Sequence, residues 1–107
     1  TVEGLRDSND HVRRHCAAAL GRLWKKGAPA DLVALNALVR IGLIDQVGEV
    51  RAAAAQSLAD IAGMNQLGSH TDMVEQAITV RLKDSEPEVR NAAQAFLAHV
   101  KPPSKNK

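Results

Sequence analysis

The stretch LKDSEPEVR, at residues 82–90, is the clearest of three related stretches in this chain. LRDSNDHVR at residues 5–13 and LIDQVGEVR at residues 43–51 carry the same Leu, Asp, Val and Arg in the same register. These residues recur after 38 and then 39 positions, and a later Leu recurs with them. A period near forty residues is typical of stacked helical units and not of a globule closed around one core.

The composition favours an all-α fold. Of the 107 residues, 45% are apolar and only 2% are aromatic, and Ala, a strong helix former, supplies much of the apolar share. The sequence contains no run of about 18 apolar residues, so we expect no membrane-spanning helix. The net charge of +2 is too small to indicate a nucleic-acid partner by itself. The single cysteine, Cys16, cannot form an internal disulfide, and we expect a reducing, cytoplasmic location.

Each repeated stretch contains a turn followed by a long helix. The polar residues after each repeated Asp are typical of turns and N-caps, and Pro87 suits the first position of a helix. Apolar residues then follow at helical spacing, and Thr71 is the predicted N-cap of a shorter helix. We predict long helices over residues 10–26, 48–62 and 86–100 and shorter helices over residues 30–43 and 71–83. The expected core stripes are Val12, Cys16, Leu20 and Leu23; Val50, Ala54, Leu58 and Ile61; and Val89, Ala93, Leu97 and Val100.

The order of predicted helices leaves the first long helix without a preceding partner. We therefore expect residues 1–100 to form one repeat domain, either a fragment of a longer array or a domain whose N-terminal end a partner covers. At the other end, Phe96 stands where the earlier copies have Ala19 and Ser57, and Gln94 replaces an Ala. These larger residues predict that the last helix ends the stack. Residues 101–107 contain no core residue, and we expect them to be disordered.

These stretches resemble the HEAT repeat, in particular the HEAT-like repeats of the phycobilisome-lyase type. The shared features are a Leu, an Asp, a Val-Arg pair, an Ala pair and a Leu-Gly, and residues 82–90 match them closely. The middle copy departs from the pattern with Gly48 where Pro is common. The resemblance covers residues 5–62 and 71–100. It implies an α-solenoid of stacked antiparallel helical hairpins, about two and a half repeats, with the long helices lining the concave face.

The resemblance also implies a structural ladder along the turns. An Arg guanidinium can bind a carboxylate and turn carbonyls in two directions at once, which would tie neighbouring turns together. Ligand binding by these arginines is the alternative. The residues concerned are Asp7, Asp45, Asp84, Arg13, Arg51 and Arg90.

The sequence predicts neither catalysis nor a cofactor. His11 and His15 have a spacing that can hold a metal, but no third ligand is evident and Cys16 falls on the core stripe, so we expect no metal site. HEAT-like metalloenzymes such as deoxyhypusine hydroxylase present His-Glu pairs to two irons, and this sequence has no His-Glu dipeptide. It also has no Gly-rich phosphate loop and no Ser-His-Asp signal.

A basic stretch in the first copy is the main candidate for binding. Residues 12–26 carry five basic residues and no acid. Arg14, Arg22 and Lys25 share one helical face away from the core stripe, and the resemblance places that face in the concave groove. A solvated helix face is the alternative. We expect the groove to be basic at its N-terminal end and nearly neutral beyond it. The equivalent residues of the later copies are Ala52, Gln56, Asp60, Asn91, Ala95 and His99.

Three functions fit these features. The leading one is a non-catalytic module that binds a protein partner along the concave face or at the uncapped N-terminal end, where a second copy could also bind. Trp24 would then either anchor the partner beside the cations or fill a gap between repeats. The first alternative is a nucleic acid held by its phosphates on the basic stretch. The second, by family analogy, is a component of a lyase-type or other HEAT-like enzyme.

Overall fold

The described part of the chain is all-helical. The computed structural model describes residues 3–25, 32–64 and 67–100, and within these ranges it leaves out the side chains of residues 3, 23–25, 32 and 68. These residues form five α-helices and no strand. The α-helices are α1 (Asp10–Lys25), α2 (Leu32–Ala37), α3 (Gly48–Gly63), α4 (Thr71–Thr79) and α5 (Pro87–Val100).

The helix predictions are confirmed, with small changes at the ends. Helices α3 and α5 match their predicted ranges to within one residue, and α1 begins at the predicted Asp10. The two shorter predicted helices each consist of an α-helix, α2 or α4, that continues into a turn of different pitch. The predicted disordered tail at residues 101–107 lies outside the described residues. The additional short segments are Glu3–Arg6, Gly68–His70 and Val80–Lys83, which are 3₁₀ turns, and Leu38–Gly42, which is a π turn.

Local side-chain chemistry marks the helix starts. Asn9 Oδ1 accepts a hydrogen bond from the His11 backbone N–H at 2.8 Å, which caps α1. Helix α5 begins at Pro87, as its missing N–H predicts. The prediction that Thr71 is an N-cap is wrong, because Thr71 is the first residue of α4 and His70 holds the cap position without a side-chain cap bond. The 3₁₀ turn Gly68–His70 leads directly into α4, so the chain already has a helical course where a side-chain cap would otherwise begin the helix.

Helix α3 lies between the other two long helices and packs against both. The π turn after α2 also packs on α3, and α4 packs on α5. Burial of aliphatic side chains between these helices is the main stabilising contribution, at roughly 25 cal/mol for each Å² of apolar surface removed from water. The largest fully buried side chains are Leu5, Leu35, Leu38, Leu43, Val50, Leu58, Ile61, Val74, Ile78, Val89 and Phe96.

Helices α1 and α3 approach closely at Gly21. A Cβ atom at Gly21 would lie 2.6 Å from Ser57 Oγ and 3.0 Å from Ser57 Cα, so only glycine fits without a shift of the helices. The buried Ser57 hydroxyl donates a hydrogen bond of 2.6 Å to the backbone carbonyl of Ala17. Ser57 therefore points back toward α1, the preceding long helix.

The structure removes the reason for which Phe96 was expected to mark the end of the stack. Phe96 occupies the same register position as Ser57, seven residues after the repeated Val, and it is fully buried. Because Ser57 faces the long helix that precedes its own, a large side chain at the equivalent position of α5 fills space on the side of α5 that faces α3. Phe96 therefore does not indicate whether a further helix packs on the other side of α5.

The first core stripe is less buried than predicted. Val12 is 38% exposed, whereas the equivalent Val50 and Val89 are 1% and 0% exposed. Ahead of α1 the structure describes one 3₁₀ turn, whereas a full helix precedes both α3 and α5, so Val12 has less to cover it. The side chain of Leu23 lies outside the described residues. Cys16 of the same stripe is half-buried, and so are Leu97 and Val100 of the third stripe.

None of the described helices combines the length and the apolar character that crossing a membrane requires.

Candidate functional site

Arg13, near the start of α1, joins two turns. Its Nε and Nη2 atoms donate hydrogen bonds to Asp45 Oδ2 and Oδ1 at 2.7 and 3.2 Å. Its Nη1 atom donates to the backbone carbonyls of Asp7 and Ser8 at 2.9 and 3.2 Å. The hydrogen bond to Asp45 raises the pKa of the Arg13 guanidinium. One planar fork thus binds a carboxylate of the next copy and the turn of its own copy.

Arg51, near the start of α3, repeats the arrangement. Its Nε and Nη2 atoms donate to Asp84 Oδ2 and Oδ1 at 2.9 and 3.0 Å. Its Nη1 atom donates to the backbone carbonyls of Asp45 and Gln46 at 2.8 and 3.2 Å. The hydrogen bond to Asp84 raises the pKa of the Arg51 guanidinium. The repeated Asp and Arg residues are called the turn ladder below, and its members are Asp7, Asp45, Asp84, Arg13, Arg51 and Arg90.

Each aspartate of the turn ladder also holds its own turn. One carboxylate oxygen accepts a hydrogen bond from the backbone N–H two residues later, at 2.9 Å in all three copies. Such a bond orients the carboxylate before any arginine reaches it. The donors are Asn9, Val47 and Glu86.

Asp84 is the most enclosed member, with a side chain that is 2% exposed. Arg81 adds a second cation, since its Nη1 atom lies 3.2 Å from Asp84 Oδ2 and also donates to the Leu43 carbonyl at 3.3 Å. Burial acts to raise the pKa of the Asp84 carboxyl. Hydrogen bonds from Arg51 and from the Glu86 amide, with the charges of Arg51 and Arg81, outweigh burial and hold that pKa below its ordinary value.

The two ends of the turn ladder differ from its interior. Asp7 is exposed, and no arginine among the described residues forms an ion pair with its carboxylate. Arg90 donates from Nη1 to the Asp84 carbonyl at 2.7 Å, but no carboxylate of the described residues meets its Nε or Nη2 atoms. One end therefore presents an unpaired acid, and the other presents an unpaired guanidinium.

A groove of about 500 Å³ crosses the three long helices on another face of the molecule. It contains the predicted binding residues Arg14 and Arg22, both of which are exposed. Helix α3 supplies most of the remaining lining, and α5 supplies one residue. The lining consists of Arg14, Ala18, Arg22, Glu49, Ala52, Ala53, Gln56, Ser57, Asp60 and Glu88, and it is called the groove below.

The charges of the groove are divided between its sides. The side from α1 carries Arg14 and Arg22, and the side from α3 and α5 carries Glu49, Asp60 and Glu88. Gln56 Nε2 donates a hydrogen bond of 3.0 Å to Asp60. Within the described residues, no ion pair joins Arg14 or Arg22 to Glu49 or Glu88.

The prediction that the groove is nearly neutral beyond α1 is therefore wrong. Glu49 and Glu88 bring acidic charge into it, and the prediction did not include them. A further difference is that Asn91, Ala95 and His99 do not contribute to the groove. Helix α5 enters it only through its first turn, and His99 lines a separate depression of about 190 Å³ near the other end of α5.

The remaining candidates from the sequence are Trp24, Lys25, His11 and His15. The side chains of Trp24 and Lys25 lie outside those that the structure describes. His11 and His15 are exposed and line a shallow depression of about 310 Å³ beside Arg14. Across residues 3–25, 32–64 and 67–100, no group of three or more His, Cys, Asp or Glu side chains has the arrangement of a metal site.

Comparison with known proteins adds no relative, because no protein-family model and no curated protein matches this chain.

Proposed function

We propose that the chain is a HEAT-like α-solenoid in which each long helix belongs to one repeat. Three observations support this arrangement. Helix α3 packs between α1 and α5, Arg13 and Arg51 each bind the aspartate of the next copy, and the buried residues follow the sequence period. Bonds that run in the same direction from copy to copy are what a stack of similar units requires.

We further propose that this solenoid is a non-catalytic module that binds a protein segment in the groove. The observation that carries the proposal is that the two sides of the groove have opposite charges. Arg14 and Arg22 on one side, and Glu49 and Glu88 on the other, are exposed and have no ion-pair partner among the described residues. A segment that carries both acidic and basic residues would satisfy both sides, and electrostatic complementarity of this kind selects a partner and its orientation.

The charges of the groove disfavour the nucleic-acid alternative. Among the described residues, three carboxylates line the groove beside its two arginines. A phosphate backbone gains affinity by neutralisation of its charges with Lys and Arg, and nearby carboxylates oppose that gain. The enzyme alternative rests on family analogy, and the residues that the structure describes in the groove include no histidine or cysteine.

The test is photo-crosslinking from inside the groove. A photoreactive amino acid replaces the exposed Gln56, and the same replacement at exposed Val80, which lies outside the groove, is the control. After irradiation in extracts of the source cells, protease and nuclease digestion distinguish protein adducts from nucleic-acid adducts. We expect a protein adduct from position 56 that is absent from position 80.

Charge reversal then tests the role of the arginines. Arg14→Glu with Arg22→Glu is expected to abolish the adduct, whereas Arg40→Glu with Lys83→Glu is expected to preserve it. The second pair is also exposed and makes the same change in net charge outside the groove. A nucleic-acid adduct, or a protein adduct that persists after reversal of Arg14 and Arg22, would contradict the proposal.

A further inference from the structure

The unpaired ends of the turn ladder are complementary to each other. In the interior, Arg13 and Arg51 each donate from Nε to Oδ2 and from Nη2 to Oδ1 of the following Asp. Arg90 has the same atoms available at one end, and Asp7 has an available carboxylate at the other. We infer that this chain associates head to tail with a second copy of itself, with Arg90 of one copy bound to Asp7 of the next.

The arginine end is already oriented for this contact. Arg90 Nη1 donates to the Asp84 carbonyl at 2.7 Å, as Arg51 Nη1 donates to the Asp45 carbonyl at 2.8 Å. In the interior copies, this anchor directs Nε and Nη2 toward the next turn. The same anchor on Arg90 directs its free N–H groups away from its own copy.

The aspartate end is oriented by the same local bond as in the interior. Asp7 Oδ1 accepts the Asn9 N–H at 2.9 Å, as Asp45 Oδ1 accepts the Val47 N–H at 2.9 Å. Asp45 holds this conformation while it binds Arg13. Asp7 can therefore accept an arginine with little loss of conformational freedom, which lowers the cost of association.

The helix faces beside these charges are also open. Val12 on α1 is 38% exposed, where Val50 is 1% exposed. On α5, Gln94 and Ala98 are exposed at the positions where α3 has the buried Ala55 and Ala59. The small side chain of Ala98 permits a second helix to approach, since its equivalent in α1 is Gly21, the site of the close α1–α3 contact.

The two surfaces lie at opposite ends of the ladder, so the contact is heterologous. Such a contact leaves a free acid and a free guanidinium at the ends of every dimer, so association continues beyond the dimer, into open chains or into a ring if the rotation between copies closes. The geometry rests on the proposed repeat arrangement, but it does not use the groove. Failure of the groove proposal therefore leaves this inference standing, and failure of this inference leaves the groove proposal standing.

The experiment is sedimentation velocity of the 107-residue chain over a concentration series. We expect the weight-average mass of the wild-type chain to rise with concentration and to fall again at high salt, which screens the contact. Asp7→Arg and Arg90→Glu are each expected to weaken association by at least about tenfold. Arg90→Gln, which removes the charge without reversing it, is expected to weaken association as well.

The decisive measurement is the sedimentation of a mixture of Asp7→Arg and Arg90→Glu, called the reversed variants. Each variant alone presents like charges at the contact, whereas an equimolar mixture offers Arg90 to Asp7 and Glu at position 90 to Arg at position 7. The mixture is therefore expected to regain the mass of the wild-type chain. Arg14→Glu with Arg22→Glu is expected to associate as the wild type does, which separates this contact from the groove. Circular dichroism of each variant verifies that it is folded.

Two outcomes would overturn the inference. The first is a wild-type chain that stays monomeric up to about 1 mM, since a weaker contact has no role at cellular concentrations. The second is association that the two reversed variants leave unchanged or that their mixture fails to restore, which would place the contact elsewhere on the molecule.

Discussion

The turn ladder and the groove use the same kinds of residue in opposite ways. Arg13 and Arg51 use their N–H groups to bind carboxylates and turn carbonyls of the chain itself. Arg14, the direct neighbour of Arg13, lies in the groove with no ion-pair partner among the described residues. A single residue step along α1 thus separates an arginine that holds the fold together from an arginine that is available to a ligand.

This contrast shows which positions of the repeat encode structure. The Arg that recurs in all three copies serves the turn ladder, and the Arg that occurs in one copy serves the groove. Substitutions should therefore separate the two regions. Those in the turn ladder and the helix contacts should lower stability, whereas those in the groove should leave stability nearly unchanged.

The largest effect is expected from Asp84→Ala. Its side chain is 2% exposed and binds Arg51 and Arg81, so its removal leaves two cations without their acid. We expect the free energy of unfolding to fall by about 3 kcal/mol, measured by urea denaturation. The control is Asp7→Ala, which removes an exposed acid and one local hydrogen bond and is expected to cost less than about 1 kcal/mol. Equal losses in the two variants would mean that the interior and the end of the turn ladder do not differ.

Gly21→Ala is expected to have the next largest effect. The added Cβ would lie 2.6 Å from Ser57 Oγ and 3.0 Å from Ser57 Cα, so α1 and α3 must move apart. We expect thermal or urea unfolding to show a loss of about 2 kcal/mol. At Gly63 the nearest atoms belong to the His99 ring at 3.1 Å, which can rotate away, and Gly63→Ala is expected to be within about 0.5 kcal/mol of the wild type. A neutral Gly21→Ala would show that the helices are farther apart than this structure has them.

Acidification should lower the free energy of unfolding, as Asp84→Ala does, but by a smaller amount. Protonation removes the charge of Asp84 and leaves the side chain in place. The pKa of Asp84 is below its ordinary value in the folded chain. Its contribution to stability is therefore complete above the unfolded-state pKa of about 3.9 and is lost as the pH falls through the lower folded-state value. Urea midpoints measured from pH 6 downward should fall in the wild type and fall less steeply in Asp84→Asn. Parallel curves would show that Asp84 does not supply this pH dependence.

The smallest effect is expected from Arg14→Ala with Arg22→Ala. Both side chains are exposed in the groove, and surface substitutions of this kind change the free energy of unfolding by less than about 0.5 kcal/mol. Arg51→Ala is the matched ladder substitution and is expected to cost several times more, because it leaves the carboxylate of Asp84 buried without its bidentate partner. Similar losses in the two variants would remove the distinction between the turn ladder and the groove.

The sequence period was sufficient to place the helices, because the repeated Asp marks a turn and the Val that comes after it begins an apolar helix face, which is buried at Val50 and Val89. It could not say which neighbour a given face meets. Phe96, at the register position of Ser57, predicted a blocked contact with a following helix. The hydrogen bond from Ser57 to the Ala17 carbonyl shows that this position faces the preceding helix in α3, so it says nothing about a following one. Register identifies equivalent positions, but the direction of stacking is a property of the packed structure.

Of the residues that the sequence analysis missed, Glu49 could have been predicted and Arg81 could not. Glu49 lies three residues before Ala52 and seven before Gln56, so helical spacing alone places all three on one face. No repeated pattern indicates a role for Arg81, because the equivalent residues of the other copies are Gly4 and Gly42. Its bond to Asp84 depends on where the 3₁₀ turn at Val80–Lys83 directs the side chain.

The positions of the ladder bonds also determine how the molecule can bend. Arg13 and Arg51 lie within the first turn of α1 and α3, so these helices are pinned to the next copy at their N-terminal ends. The close approach of Gly21 to Ser57 and the hydrogen bond from Ser57 to the Ala17 carbonyl hold α1 and α3 together again near the Arg22 end of the groove. Attachments at two points along helices of 16 residues, about 24 Å in length, resist a change of tilt between α1 and α3. The distance between the α1 side and the α3 side of the groove is therefore set by the scaffold, and a ligand has to match it.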